Sequence, residues 1–554
     1  WNIDPAGHEY AVKDNEMVEV SPPGQGGELY SDEHARAAAP PGRDPGGIIA
    51  LEYERRERPY LAETNWFFQD DVPRENQSFT LVMPPGFHYT TTWSHHAKIE
   101  PTELPNSALR WQVDHQKAID LSEVPLSPNE EALSARMTVH YSGPGLAAPQ
   151  EGTWKGIGLW YDGLSHDRIV ATPEIAAKAA ELTAGKTDFY DKAEAIGEFV
   201  QQKTRYFVVE MGIGGYQPHY AQDIFRGRYG DCKDKATLLA AMLSSVGIHS
   251  DLMMVDTHRG VVDPDAPSIV GNHMIGAIEI PAGYSSPKLH SVVTAATGKR
   301  YLIFDPTWDL TPFGQLEGNL QGSYGVLVEG PNSQVIQLPV LDPSLNRVER
   351  AGTFHLATDG TLKGEVTEKR FGDLAEQRRY EFTRDAKAQQ DFLDRSISRD
   401  FMAVSLSDVK IENVQALNKD LTLKYNLEAN HFASATGPLL MVRPRVVGSE
   451  AMPIDRKSRR VGIDLGETMQ ATDTFDIELP EGYSVDELPE PIKMDFDFAS
   501  YESSTELRGH TLHYTRTYRV KEITLPADRY PDLQKLAGII AADEGNRAVL
   551  KRAN

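Results

Sequence analysis

The chain contains one cysteine, and its neighbours give that thiol a chemical setting. Cys232 lies in Arg228-Tyr229-Gly230-Asp231-Cys232-Lys233-Asp234-Lys235-Ala236-Thr237-Leu238-Leu239. Asp231 is a candidate N-cap, and Leu239, Met242, Leu243 and Val246 share one helical face ahead of Gly247. A thiol in the first turn of a helix faces unpaired backbone N–H groups and the positive end of the dipole, which favour thiolate over thiol. The same N–H groups can donate to the oxyanion formed when sulfur attacks a carbonyl. Such a nucleophile wants a histidine within hydrogen-bond reach and an acceptor that fixes the histidine's tautomer. His273 opens an apolar run over 273–280 and Asp305 closes another over 301–304. If those runs are neighbouring strands packed on the Cys232 helix, the three side chains can meet, so Cys232, His273 and Asp305 are the candidate triad. The competing reading is an inert buried cysteine, the common state of the residue type. Against it, Asp231, Lys233, Asp234 and Lys235 make a poor core wall.

Positioning these groups needs a helix and two adjacent strands. Over 173–202, Ile175, Ala179 and Leu182, then Tyr190, Ala193, Ile196, Phe199 and Val200, recur at three- and four-residue steps, which predicts two helices. A third is expected over 233–246, and the strands at 273–280 and 301–304 follow, an α+β order. Ahead of this core, the short β-prone runs 48–53, 78–83, 109–113 and 135–141 alternate with Pro, Gly and Asn clusters and predict an all-β sandwich. The first 44 residues, with Ser21-Pro22-Pro23-Gly24 and Pro40-Pro41-Gly42, read as irregular edge structure. Beyond the core, Asp359-Gly360 predicts a hairpin, and Leu421, Leu423, Tyr425 and Leu427 alternate, as do Phe475, Ile477 and Leu479. A helical insert is expected around 373–399 and a last helix from Pro531. The expected fold is therefore multidomain α+β: a central core over 166–341, flanked by mainly β, sandwich-like domains over 1–165 and 342–554, the latter with a terminal helix.

Composition narrows the partners. With 554 residues, 40% of them hydrophobic, about three domains are expected. Lys and Arg number 56 against 81 Asp and Glu, a formal charge of −25 that argues against nucleic acid. No run approaches the roughly 18–20 apolar residues of a membrane span. A lone cysteine allows neither an intrachain disulfide nor a zinc site of several thiolates. There is no GxSxG elbow and no HExxH. Gly212-Ile213-Gly214-Gly215 lacks the P-loop lysine, and His88, His95 and His96 lack a carboxylate at metal-site spacing and read as solvated. No cofactor or metal is expected, and nothing marks the oligomeric state. Around the triad, Gln217 is a candidate second oxyanion donor, with a glutamine satisfied in a turn as its alternative. Tyr216 and Trp308 are candidate cleft walls or simply core aromatics. The chain begins at Trp1 rather than Met, so an upstream segment is expected to have been removed or omitted, with any signal peptide.

The blocks from Tyr229 to Leu239, Asn272-His273, and Phe304-Asp305-Pro306-Thr307 resemble the three motif blocks of the transglutaminase-like superfamily. Glu28-Leu29-Tyr30-Ser31-Asp32, Trp66-Phe67-Phe68-Gln69 and 154–161 are similar to an N-terminal domain of unknown function, DUF3857, carried by a bacterial branch, and 206–218 resembles the run into the catalytic block. The resemblance covers most of 1–330 and implies a papain-like core with Cys232 as nucleophile, His273 as general base and acid, and Asp305 as orienting carboxylate. Gly271 departs from it, standing where an aromatic residue is expected. It also implies an exported protein, periplasmic or secreted. The chemistry expected is attack on a peptide or glutamine carboxamide to give a thioester on Cys232, resolved by water as in a protease, amidase or deamidase. The alternatives are an amine-accepting transglutaminase or amide ligase, and a catalytically idle protein binding a polypeptide or glycan through its β domains.

Overall fold

The computed structural model describes the chain except for residues 21–28, 32–34, 57–59, 147–151, 456–457 and 553–554. The turn-forming run 21–24 and two residues of the N-terminal motif, Glu28 and Asp32, lie outside the described residues.

Short alternating strands separated by turn formers build the N-terminal unit. Glu63–Phe67, Arg136–Ser142 and His88–Ser94 pair antiparallel in one sheet; Thr102–Leu104, Ala108–Gln116 and Arg74–Val82 pair in a second. Phe68, Trp111, Val113, Ala135, Met137 and Val139 form the core between them. The run expected as a strand over 48–53 is a strand only at Ile48–Ile49, with Leu51 and Tyr53 exposed. Ile48–Ile49 pairs antiparallel with Asn2–Ile3 at the edge of a three-stranded sheet, and the exposed residues beyond it do not continue the strand.

The central unit is a six-stranded antiparallel sheet with helices on one face. Its order is Val292–Thr294, Arg300–Phe304, His273–Ile280, Ser250–Val255, Tyr324–Val328 and Gln334–Gln337. Four more strands are present than the two expected. Helices Pro173–Leu182 and Phe189–Lys203 form where the 3.6-residue periodicity put them, capped by the side chains of Thr172 and Asp188. With Ala221–Gly227 and Cys232–Ser244 they bury Ile175, Ile196, Leu239, Met242 and Leu243 against Ile278, Leu302 and Phe304. Helix Trp154–Ser165 packs on this sheet as well, through Ile157 and Tyr161 against Leu252, Met254 and Val326. Gly158 permits the approach, because a Cβ there would stand 2.3 Å from that of Ser333.

The C-terminal unit is an eight-stranded sheet whose middle pair, Arg347–Leu356 and Met469–Glu478, is parallel. The expected hairpin joins Arg347–Leu356 to Leu362–Phe371, with Gly360 at φ +84°. A four-stranded sheet covers one part of it through Leu440, Val442 and Leu550, and helix Tyr530–Gly545 covers another through Leu533, Leu536 and Ile540. The helical insert is Asp373–Phe382 and Ala386–Ser398. Between sheet and terminal helix lies a buried ionic cluster. Arg350 contacts Asp473 at 3.1 Å, Glu450 at 3.2 Å and Glu368 at 3.4 Å, while Arg516 pairs with Asp473 and with Glu544 at 2.8 Å.

Arginines tie the three units together. Arg259, in the loop after Ser250–Val255, donates to the carbonyls of Gln321 (2.7 Å) and Gly466 (2.8 Å) and pairs with Asp464. Arg459 donates to the carbonyls of Pro125 and Leu126. The same junction crowds carboxyls: Asp373 accepts from the Gly318 N–H at 2.7 Å, with Glu376 and Glu467 beside it around a cavity of about 660 Å³. Burial, and then the charge of Asp373, push the Glu467 carboxyl up to about 7 from an ordinary 4.5. The folded chain thus holds this proton more tightly than the unfolded one. The associated stability is full below about 4.5 and is lost as pH rises through about 7. Wild type should lose about 2 kcal/mol more than Glu467→Gln between pH 5 and 8. Parallel pH profiles of melting temperature for the two proteins would contradict this.

Candidate active site

The Cys232 helix is held by polar contacts at its start. Asp231 caps it by accepting from the Asp234 N–H at 3.3 Å, and Asp234 accepts in return from the Asp231 N–H at 3.4 Å. Gly230 makes room for that reciprocal cap: a Cβ there would stand 2.6 Å from the Asp234 Cβ. The charged flanks that read as a poor core wall are buried all the same. Lys233 pairs with Asp231, and Lys235 Nζ donates to the Gln201 carbonyl at 2.9 Å. Pairing makes these groups compatible with a core position, which composition alone cannot reveal. Burial, reinforced by Asp234 and opposed by Lys233, pushes the Asp231 carboxyl up to about 6. Cys232, the first helical residue, is half-buried.

His273 and Asp305 come from adjacent strands. His273–Ile280 pairs with Arg300–Phe304 through Gly276 and Phe304, which brings the residue following Phe304 beside the first residue of its neighbour. His273 Nε2 donates to Asp305 Oδ2 at 2.6 Å. Asp305 Oδ1 accepts from the Thr307 N–H at 2.7 Å and hydroxyl at 2.6 Å. Burial alone would drive the imidazole toward neutrality; the Asp305 charge and hydrogen bond, with Cys232, reverse this and hold His273 well above its ordinary pKa of 6.5. Burial would likewise raise Asp305, and the imidazolium and Thr307 hold it low. Both shifts favour an imidazolium paired with a carboxylate, and Nδ1 is the ring nitrogen that Asp305 does not engage.

Cys232 and His273 line a cleft of about 550 Å³ together with Tyr60, Tyr161, Tyr216 and Asn272. Tyr216 packs edge-on against Tyr60 at 6.0 Å and Trp160 at 5.5 Å. Tyr60 belongs to the N-terminal unit, and strand Leu29–Ser31 of that unit pairs in parallel with Val208–Glu210 beside the cleft. Trp308 lies on the far side of His273, in a second cavity of about 370 Å³ with Tyr206, Asp305 and Thr307. Gln217 lines neither space and its amide donates to the Leu164 carbonyl at 3.2 Å. The aromatic expected at Gly271 could not fit, since a Cβ there would stand 2.8 Å from the Val255 carbonyl oxygen. Tyr161 was not singled out by the sequence; its helical spacing with Trp154 and Ile157 could have drawn attention to it. Among the described residues, no group of three or more His, Cys, Asp or Glu is arranged to hold a metal. No helix among them is long and apolar enough to cross a membrane.

This site and its sheet define a multidomain α+β protein built around a transglutaminase-like core. Residues 176–306 match the Transglutaminase-like superfamily, and residues 1–120 and 440–550 match two domains of unknown function, DUF3857 and DUF3858. The chain thus carries a Transglutaminase-like superfamily core behind an N-terminal DUF3857 domain. A solved structure of a candidate protease from Parabacteroides distasonis is similar over 99% of this chain and 88% of its own, at 13% identity and a TM-score of 0.59. A candidate cysteine protease from Cytophaga hutchinsonii aligns with 44% of this chain and 74% of its own, at 12% identity and a TM-score of 0.18, too low for any argument. A comparison with curated proteins gives no match.

Proposed function

We propose that the protein is a cysteine amide hydrolase that acts on peptide or glutamine amide bonds through a thioester on Cys232. The observation that carries this reading is the 2.6 Å His273–Asp305 pair opening onto the cleft that contains the first-turn cysteine. The thiolate attacks the carbonyl carbon, and the first-turn N–H groups donate to the oxyanion. His273 protonates the leaving nitrogen, the C–N bond breaks, and the thioester remains. His273, now neutral, takes a proton from water as it attacks; the acid leaves and the thiolate–imidazolium pair is restored. Asp305 stays ionised throughout and orients the ring.

The test is alkylation of Cys232 by iodoacetamide across pH 6–9 in the full chain, followed by intact mass, in wild type and His273→Ala. With one cysteine the adduct has a single address. Wild type should react at pH 7 at least about tenfold faster than the variant, because the imidazolium no longer holds the thiolate in the latter. Identical profiles would remove the Cys232–His273 couple and the reading with it.

A further inference from the structure

Tyr161 is 2% exposed, and its hydroxyl oxygen is buried without a hydrogen-bond partner. Buried polar groups are nearly always paired, so an unpaired hydroxyl on a side chain that lines a cleft calls for a partner that arrives later. The wall is the one shared with Cys232, Asn272 and His273. Helix Trp154–Ser165 fixes the position, since Thr153 caps its start and Gly158 seats it against Ser333. The ring is set among Ile157, Leu252, Met254 and Val326.

We propose that the Tyr161 hydroxyl is an oxyanion donor, completing with the first-turn N–H groups of the Cys232 helix the site that receives the carbonyl oxygen of the substrate. The inference rests on the acyl-transfer reading above. It assigns to Tyr161 the role that sequence spacing suggested for Gln217, whose amide is turned to the Leu164 carbonyl on the same helix. Burial, with the charges of Cys232, Asp231 and Asp234, holds the phenol well above its ordinary value, so it remains a donor at any working pH. The hydroxyl makes no hydrogen bond to the resting sulfur, so it does not serve the ground state. An interaction made only once the carbonyl oxygen becomes charged is the kind that lowers a barrier.

Two reactions of the same thiol separate this role from a structural one. Alkylation by iodoacetamide forms no oxyanion, whereas acylation by p-nitrophenyl acetate does. Comparing wild type and Tyr161→Phe in the full chain, we expect alkylation rates equal within about twofold and Cys232 acetylation slower by about 10²–10³ in the variant. The variant should melt no lower than wild type, because the hydroxyl it lacks had no partner to lose. Acetylation at the wild-type rate overturns the proposal, as does a parallel fall in both reactions, which marks a packing role. The alkylation arm in wild type stands alone: a thiol that reacts no faster there than in His273→Ala removes the parent reading and this inference with it.

Discussion

Asp305→Asn is expected to slow acylation of Cys232 at neutral pH by about four orders of magnitude, near 5 kcal/mol of barrier, while the sheet stays folded. Asp305 serves two partners at once. One oxygen receives the His273 Nε2 proton at 2.6 Å, and the other receives two donations from Thr307 at 2.6 and 2.7 Å. An asparagine can keep the Thr307 contacts only by turning its NH₂ toward His273, where it stabilises the tautomer with the proton on Nδ1, facing the sulfur it should deprotonate. Turning the amide over instead sets a donor against the Thr307 N–H. Either way the imidazolium loses the carboxylate that holds it charged against the burial of the site. The measurement is single-turnover acetylation by p-nitrophenyl acetate, with the melting curve as control. A loss of tenfold or less would mean that Asp305 packs the loop and does not orient the base.

The largest stability effect is expected at Asp473. Asp473→Ala should destabilise the C-terminal unit by about 3–5 kcal/mol, because it strands two guanidinium groups in the interior. Arg350 and Arg516 are 7% and 0% exposed and both pair with Asp473. All seven tryptophans precede residue 342, so their fluorescence does not report on this unit. Hydrogen exchange across Arg347–Leu356 and Thr511–Val520 does. Wild-type protection of both strands in Asp473→Ala would show that Glu368, Glu450 and Glu544 suffice.

What the sequence could disclose followed the range of the interactions involved. The Cys232 helix was legible because each of its signals is local: the cap adjoins the first turn, the apolar face repeats every three or four residues, and Gly247 follows the end. The meeting of His273 with Asp305 depends on Gly276 pairing with Phe304, and spacing supplies only the order of such residues, not their register. Strand Ser250–Val255 was missed because Leu252 to Val255 are all buried, which erases the alternation that marks a half-exposed strand. The placing of helix Trp154–Ser165 escaped for a related reason. Its seat is Ser333, far along the chain, while the likeness of 154–161 to the N-terminal module drew it across the boundary expected at 165. Gln217 had a suitable donor at a suitable spacing, and only the fold shows it turned to Leu164. The burial of Lys233 and Lys235 was equally hidden, because the pairing that permits it is a property of side-chain direction.

The solitude of Cys232 sets how the protein ages under oxidants. A thiolate that gains one oxygen becomes a sulfenic acid, which a neighbouring cysteine can capture as a disulfide before further oxygen makes the damage permanent. This chain has no second thiol to offer. Rescue therefore has to come from a small thiol diffusing into the half-open cleft past Tyr60 and Tyr216. Peroxide survival of the enzyme would then track the thiol content of its surroundings and owe nothing to the robustness of its fold.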